Sequence, residues 1–246
     1  MSHKKIIDQM RILVIIVNYN QSLEVKNFLD DFIKFWPVED AVFVDDGSTD
    51  GSDSVATQMN FRVIRHLQNL GVGAAIRSGI VYAQQEKYDG VAIMSSNGKM
   101  LTAELTQIVN PVIRGERDYT TGSRFIPGGE SPGLPLFRKL SIPIVSILLS
   151  IFLGKYFSDI TNGQRCYTLK FLEDPRININ QDWLNRYEME YYIHYWACRL
   201  NLRIQEIPVT SRYDHLQKGR HSKIRPWSGW WSMLRPIILL SFRLRK

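Results

Sequence analysis

The first half of the chain alternates short apolar runs, typical of buried strands, with longer stretches in which apolar residues recur at helical spacing. The run RILVIIVN at 11–18 is almost continuously apolar, as expected for a strand that is covered on both faces. Further strands are predicted at 41–45, 61–65, 90–94, 119–123 and 202–209, and helices at 23–35, 72–85, 102–114, 136–153 and 183–200. Elements in this order predict an α/β fold with a doubly wound, mostly parallel sheet that binds its ligand at the carboxyl ends of the strands.

Two segments differ from this pattern. In 136–153 most residues are apolar and the polar ones form a narrow stripe, so this helix is either buried or in contact with lipid. Residues 211–246 carry nine Lys or Arg against one acid, and three tryptophans lie in the same stretch. We therefore expect a domain at 1–210 and a helical, interfacial tail at 211–246 that binds an anionic membrane surface rather than a merely solvated tail.

Composition narrows the class of protein. Of the 246 residues 44% are hydrophobic and 22% are charged, which suits a globular chain with a sizeable core. Cys166 and Cys198 lack metal-site spacing, so reduced thiols in the cytosol are expected. The charge-free run at 140–154 is shorter than the roughly 20 residues that span a bilayer. The sequence therefore predicts a cytoplasmic protein that is peripheral on the inner face of the membrane, with no nucleic-acid partner, because no groove-reading basic element is apparent.

Polar and glycine-rich clusters follow four of the predicted strands. They read NYN at 18–20, VDDGSTDGS at 44–52, NLGVGAAIR at 69–77 and SSNGK at 95–99. Carboxylates at a strand end can accept hydrogen bonds from a nucleobase or ribose, and small residues let a nucleotide approach the backbone. The second cluster could equally be a turn that leads into a helix capped at Ser52. An NAD-dependent oxidoreductase is disfavoured, because the first strand leads into NYN rather than into a glycine-rich loop.

Three later motifs complete a family pattern: GSRFIPGG at 122–129, DITNGQRCY at 159–167 and IQEIPV at 204–209. In this order and spacing, the motifs resemble family 2 glycosyltransferases of the GT-A fold, especially the branch related to dolichyl-phosphate mannose synthase. The resemblance covers roughly residues 12–208, most of the chain.

The resemblance implies a nucleotide-sugar donor and the residues that hold it. The tyrosine and aspartates of the first two motifs, joined by the arginine of AIR, would bind the nucleoside: Tyr19, Asp45, Asp46 and Arg77. Further arginines would meet the donor diphosphate or an acceptor phosphate: Arg124, Arg138 and Arg165.

One position departs from the family pattern. The family normally carries Asp-x-Asp after the fourth strand to hold Mg²⁺ or Mn²⁺, and Ser95 and Asn97 stand there in this chain. Hard divalent cations prefer anionic oxygen ligands, so no protein ligand for the metal is expected, although Mg²⁺ or Mn²⁺ bound mostly by the diphosphate stays open. Lys99 could neutralise the leaving diphosphate in place of a metal, or it could be an ordinary loop lysine.

The implied reaction is displacement at a sugar anomeric carbon, with inversion expected from the resemblance. A polyprenyl-phosphate acceptor is already anionic, whereas a hydroxyl of a lipid-linked glycan needs a carboxylate base. Asp159, Glu188 and Glu190 are the candidate bases, and the sequence leaves open which glutamate belongs to the family's helix-borne acid. Either glutamate could also be an exposed helix charge.

The sequence thus predicts a nucleotide-sugar-dependent hexosyltransferase in surface or cell-envelope polysaccharide synthesis. Its predicted partners are a nucleotide-sugar donor, a polyprenyl-phosphate or lipid-linked glycan acceptor, and an anionic membrane surface. The rival interpretation is a non-catalytic relative that binds a nucleotide sugar and acts as a scaffold or regulator, because the Asp-x-Asp motif is degenerate.

Overall fold

The computed structural model describes residues 10–214 and 228–244. A seven-stranded mixed sheet forms its centre, with the strand order β3-β2-β1-β4-β6-β5-β7. The strands are β1 (Ile12–Asn18), β2 (Ala41–Asp45), β3 (Arg62–Arg65), β4 (Gly90–Ser95), β5 (Tyr119–Ser123), β6 (Arg165–Thr168) and β7 (Ile204–Pro208). Only β6 runs antiparallel to its neighbours β4 and β5, so the predicted mostly parallel α/β sheet is confirmed.

Helices cover both faces of the sheet, and two apolar clusters lie on its opposite sides. The helices are α1 (Ser22–Phe32), α2 (Ser52–Gln58), α3 (Val72–Gln85), α4 (Leu105–Ile113), α5 (Leu136–Leu153), α6 (Glu188–Arg199) and α7 (Ser228–Ser241). The bounds of α3 and α5 match the sequence prediction, because long periodic runs define them.

Several elements differ from the sequence prediction in bounds or existence, and two of them bear on the site. Strand β6 was not predicted, because its four residues form no apolar run and owe their conformation to pairing with β4 and β5. The helix predicted at 183–200 begins only at Glu188, since Asp182–Leu184 form a separate 3₁₀ turn. The polar clusters at the ends of β1, β2 and β4 nevertheless meet as predicted, because Asn18 pairs in register with Asp45 and Val17 with Ser95.

Helix α5 packs on the protein through a narrow side and leaves many of its apolar side chains exposed. Its inner stripe packs on the core, but only 28% of its residues are buried, and by length and composition it is apolar enough to cross a membrane. Helix α7 packs beside it and against α6. The region 215–227, which contains Trp227 and much of the basic charge predicted for the tail, lies outside the described residues, and the division at residue 210 stays a prediction.

Candidate active site

The first, second and fourth polar clusters form one hydrogen-bond network at the carboxyl ends of the strands. The amide of Asn18 donates to Asp45 Oδ1 at 2.8 Å and to Ser52 Oγ at 2.7 Å. Its oxygen accepts from Ser96 Oγ at 2.6 Å. Asp45 also accepts the backbone N–H of Ser48 at 2.9 Å, which closes the turn of the DDGS motif. Asp45 is fully buried, so its carboxylate organises the loops. A helix does follow the turn, but it begins at Ser52 with Gly51 at the N-cap position, so the proposed cap at Ser52 is wrong by one residue.

Asp46 connects the second cluster to the third. Its carboxylate accepts the backbone N–H groups of Leu70 and Gly71 at 2.9 and 2.8 Å, and it lies 2.8 Å from His66 Nδ1. Only 3% of Asp46 is exposed, whereas Tyr19 is 36% exposed at the same edge. Nucleoside binding by Tyr19 and the two aspartates stays a prediction. The geometry makes the aspartates the supports of the loops around that position.

The glycine-rich third cluster lies against protein backbone. A Cβ atom at Gly71 would collide with the carbonyl oxygen of Asn185, and one at Gly73 with that of Leu184. The Asn185 carbonyl also accepts the N–H of Ala74 at 3.0 Å, one of the unpaired donors in the first turn of α3. Gly71 and Gly73, which were predicted to let a nucleotide approach the backbone, are therefore needed so that the segment before α6 can pack closely against α3.

Arg77 faces the same segment. Its guanidinium donates to the Ile179 carbonyl at 2.7 Å, to Asn185 Oδ1 at 2.8 Å and to the Gln181 carbonyl at 3.2 Å. Burial lowers the pKa of Arg77, an effect that nearby Asp182 partly offsets. Arg77 thus holds the 179–185 segment on α3. Nucleotide binding by Arg77 stays a prediction.

The loop after β4 holds the residues that replace the Asp-x-Asp motif. Ser95 and Asn97 are half-buried, and Asn97 Oδ1 accepts the backbone N–H of Lys99 at 3.1 Å. Lys99 Nζ lies 5.4 Å from the centre of the Tyr213 ring. A hydroxyl and an engaged amide do not fit the anionic donor set that a divalent cation needs. Within 10–214 and 228–244, no group of three His, Cys, Asp or Glu side chains could hold a metal.

Arg124 and Asp159 form a buried ion pair. Arg124 Nε and Nη2 donate to the two carboxylate oxygens of Asp159 at 2.6 and 2.8 Å. Arg124 Nη2 also donates to Thr161 Oγ1, and Nη1 donates to the Tyr213 hydroxyl, both at 2.7 Å. Burial lowers the pKa of Arg124, but the charge and hydrogen bonds of Asp159 together with Tyr213 outweigh burial, so the pKa is raised overall. Arg124 also lines a cavity of about 370 Å³ together with Lys139.

The other two predicted phosphate-binding arginines differ in their surroundings. Arg165 is buried, and its guanidinium donates to the carbonyls of Asn162, Glu190 and Ile160 at 3.1, 2.7 and 2.9 Å. Arg138 is partly exposed in the first turn of α5. Burial raises the pKa of the Tyr187 phenol, and the nearby charge of Arg138 offsets a small part of this rise. The structure therefore places Arg165 inside the protein and Arg138 at its surface, and phosphate binding by either stays a prediction.

The two candidate glutamates of α6 point in different directions. Glu188 is buried and forms an ion pair with Arg235 of α7 at 2.6 Å. Glu190 faces the loop before β6, because a Cβ atom at Gly163 would lie 3.2 Å from Glu190 Oε1 and 3.4 Å from Met100 Cε. Burial raises the pKa of Glu190, and Arg165 partly offsets this. Glu190 is thus the glutamate that lies beside Gly163, in the loop before β6 that also carries Asp159.

Three supporting residues were not predicted from the sequence as members of the site. Glu206 accepts the backbone N–H groups of Ser158 and Asp159 at 3.0 and 3.1 Å, and so holds the loop that presents Asp159. His66 bridges Asp46 and Ser78, and Tyr213 binds Arg124. The one signal for Glu206 in the sequence was that it is the single acid within the run IQEIPV. A charged side chain that is buried in a strand needs hydrogen-bond partners.

Comparisons with known proteins identify the family of the chain. The sequence pattern of glycosyl transferase family 2 matches residues 13–184. An undecaprenyl-phosphate mannosyltransferase from Micrococcus luteus is 28% identical over 206 residues, covering 82% of this chain and 83% of that protein. The polyprenol monophosphomannose synthase of Mycolicibacterium smegmatis is 26% identical, covering 81% of this chain and 77% of that protein.

Solved structures show the same fold. Mannosyl-3-phosphoglycerate synthase from Rubrobacter xylanophilus matches with a TM-score of 0.64 at 14% identity, over 96% of this chain and 76% of that one. Glucosyl-3-phosphoglycerate synthase from Mycobacterium tuberculosis in complex with UDP matches with a TM-score of 0.63 at 17% identity, over 95% and 79% of the two chains. The prediction of a GT-A fold is confirmed, as is that of a nucleotide-sugar-dependent glycosyltransferase at the level of the family. The chain belongs to glycosyl transferase family 2 and is a glycosyltransferase with the GT-A fold.

Proposed function

We propose that this enzyme transfers a hexosyl group from a nucleotide sugar to a polyprenyl phosphate at the cytoplasmic face of a membrane, in cell-envelope glycan synthesis. The observation that carries the proposal is the position of Arg124. Its buried, oriented guanidinium and Lys139 line one cavity, and Lys139 belongs to the largely exposed apolar helix α5. A phosphate that carries a long apolar chain suits this place, because the phosphate can bind the cationic side chains and the apolar chain can lie along α5.

The relatives support this acceptor class. Two of them are named as an undecaprenyl-phosphate mannosyltransferase and a polyprenol monophosphomannose synthase. A third, from Methanococcus voltae, is named as a UDP-N-acetylglucosamine–dolichyl-phosphate N-acetylglucosaminyltransferase, and it is 24% identical over 230 residues. Two of these names specify mannose and one N-acetylglucosamine, but all three share a lipid phosphate, so the proposal specifies the acceptor class and leaves the sugar to the donor screen.

The proposed chemistry is an in-line displacement. An oxygen of the acceptor phosphate attacks the anomeric carbon as the bond from that carbon to the donor diphosphate breaks, and the configuration inverts. The nucleoside diphosphate leaves with the bonding electron pair. No proton has to be moved, because the attacking phosphate is already an anion. Arg124 orients the acceptor, while Lys99 and Arg138 are the proposed cations near the leaving diphosphate.

A second acceptor class is favoured by Glu190. Transfer to a sugar hydroxyl would require a general base. A carboxyl group with a raised pKa beside the loop that carries Asp159 suits that role. Asp159 suits that role less well, because both of its oxygens are occupied by Arg124. A lipid-linked glycan therefore remains the alternative acceptor, with Glu190 as its base.

The test combines a donor screen with a transfer assay. Thermal unfolding is followed with UDP, GDP, CDP, dTDP and CMP sugars, because a true donor raises the melting temperature by mass action. The stabilising donor, radiolabelled in its sugar, is then incubated with a detergent-soluble polyprenyl phosphate or with a glycan. Label in the lipid fraction is the expected result. Label in the glycan alone would replace the proposed acceptor, and donor binding without transfer to either would favour the scaffold interpretation.

A further inference from the structure

The outward side of α5 is a continuous apolar surface. Six large apolar side chains at helical spacing are between 49% and 73% exposed: Phe137, Leu140, Ile144, Ile147, Leu148 and Ile151. We name these six residues the outer α5 face. Single exposed apolar residues are normal, but a contiguous stripe along a four- to five-turn helix marks an interaction site.

The opposite side of α5 ties the helix to the protein. Ser146 Oγ accepts the backbone N–H of Ile160 at 3.1 Å, and Ser150 Oγ accepts that of Phe157 at 2.9 Å. Leu149 and Leu153 are buried in the core between these contacts. The helix could cross a bilayer only by leaving all of these partners, so its position favours lying along a surface over spanning one.

The end of α7 extends the apolar surface. Phe242 lies beside Phe152, with ring centres 6.1 Å apart, and Phe242 and Leu244 are 63% and 67% exposed. Charge points to the kind of partner. The sequence from 131 to 158 contains no Asp or Glu, and Lys139 and Lys155 are exposed at the two ends of the helix. An apolar stripe flanked by cations matches an anionic lipid headgroup layer above acyl chains.

We propose that the outer α5 face and the end of α7 are a membrane-docking surface that lies in the interface of an anionic bilayer. The inference rests on the proposed lipid-linked acceptor and names the surface that reaches it. The same helix that docks also holds the 157–160 loop through its inner serines, and this loop presents Asp159 to Arg124. Because Lys139 of α5 also lines the Arg124 cavity, docking through this helix would place that cavity next to the membrane surface.

The experiment compares two double variants of the full chain. Ile144→Glu with Leu148→Glu places two charges on the outer α5 face, where the side chains are 59% and 54% exposed. The matched control, Leu23→Glu with Leu67→Glu, changes two exposed leucines elsewhere, at 63% and 105% exposure. Co-flotation is measured with vesicles of phosphatidylcholine, with and without phosphatidylglycerol. Because inserting one large apolar side chain contributes about a tenfold gain in affinity, the α5 variant should bind phosphatidylglycerol vesicles at least about 10-fold more weakly, while the control binds like the wild type.

Two results would overturn the proposal. Equal flotation of the α5 variant and the wild type would show that this face does not contact lipid. A lipid-free wild type that is dimeric, with a monomeric α5 variant, would assign the face to a second copy of the chain. Unchanged donor-induced thermal stabilisation serves as the folding control for each variant.

A detergent-soluble polyprenyl phosphate separates this inference from the proposed function. If the α5 variant loses vesicle binding but still glycosylates the soluble acceptor, both proposals stand. If the wild type floats through this face yet never glycosylates a polyprenyl phosphate, the docking surface stands and the proposed acceptor is wrong.

Discussion

The buried ion pair of Arg124 and Asp159 allows a quantitative prediction. Asp159 is fully buried and Arg124 is 7% exposed, and two charge-assisted hydrogen bonds join them. Asp159→Asn keeps the size of the side chain but removes the compensating charge. Breaking a buried pair in this way costs about 3–5 kcal/mol of unfolding free energy, because an unpaired charge stays in a low-dielectric site. That loss is a large part of the roughly 5–15 kcal/mol that stabilises a typical protein.

The assay is urea unfolding at neutral pH, followed by far-ultraviolet circular dichroism. Asp174→Asn is the matched control, because Asp174 forms an equally bidentate pair with Arg176 on the surface. We expect a far smaller change there, since solvent screens an exposed pair. A third variant, Arg124→Met with Asp159→Leu, replaces the pair by apolar side chains of similar volume and should recover most of the lost stability.

A loss of less than about 1 kcal/mol in Asp159→Asn, the range of an exposed pair, would contradict this prediction. Arg124 would then be stabilised without Asp159, and Tyr213 and Thr161 would be its main partners. Tyr213→Phe measures the contribution of the phenol, and we expect about 1.5–3 kcal/mol for losing a hydrogen bond to a charged group. If Arg124 positions the acceptor phosphate, Asp159→Asn should also raise the KM for the acceptor more than that for the donor.

Four further predictions follow from the site and the tail. Asp46→Ala frees the N–H groups of Leu70 and Gly71, so donor affinity measured by calorimetry should fall by about 1–3 kcal/mol, and an unchanged affinity would contradict the assignment. Replacing the four basic residues between 218 and 225 by serine should weaken flotation with acidic vesicles by about 1 kcal/mol per residue, whereas equal flotation would exclude them as an anchor. Donor binding and turnover should survive EDTA, and loss of activity with EDTA followed by recovery with Mn²⁺ would refute this expectation. Lys99→Ala should lower kcat by about 10²–10³-fold with little change in donor affinity. With a hydroxyl acceptor, the rate should rise with pH through the raised pKa of Glu190, because a base acts in its deprotonated form. Glu190→Gln should remove this rise with pH and lower the rate by about 10²–10⁴-fold.

Helix α7 shows how far the sequence alone could lead. The basic, tryptophan-containing sequence at 211–246 predicted an interfacial tail, which stays a prediction; Trp231 of α7 is 52% exposed. The ion pair between Arg235 and Glu188 was not readable, because the two residues are distant in sequence and meet only when α7 packs on α6. Glu188, a candidate base from its motif, thus pairs with Arg235 of the C-terminal helix, and its role as a base stays a prediction.

The sequence by itself determined the alternating strands and helices and the polar clusters at the strand ends, because periodicity and turn chemistry are local properties of the chain. It also determined the family, since VDDGSTDGS and the later motifs appear in order. Only the tertiary structure decided which neighbouring side chains face the site. Two residues apart on a helix means about 200° of rotation, so Glu188 and Glu190 cannot share a face. Likewise, the glycines of the third cluster receive the backbone near Asn185, a contact made by residues more than a hundred positions away that no local pattern encodes.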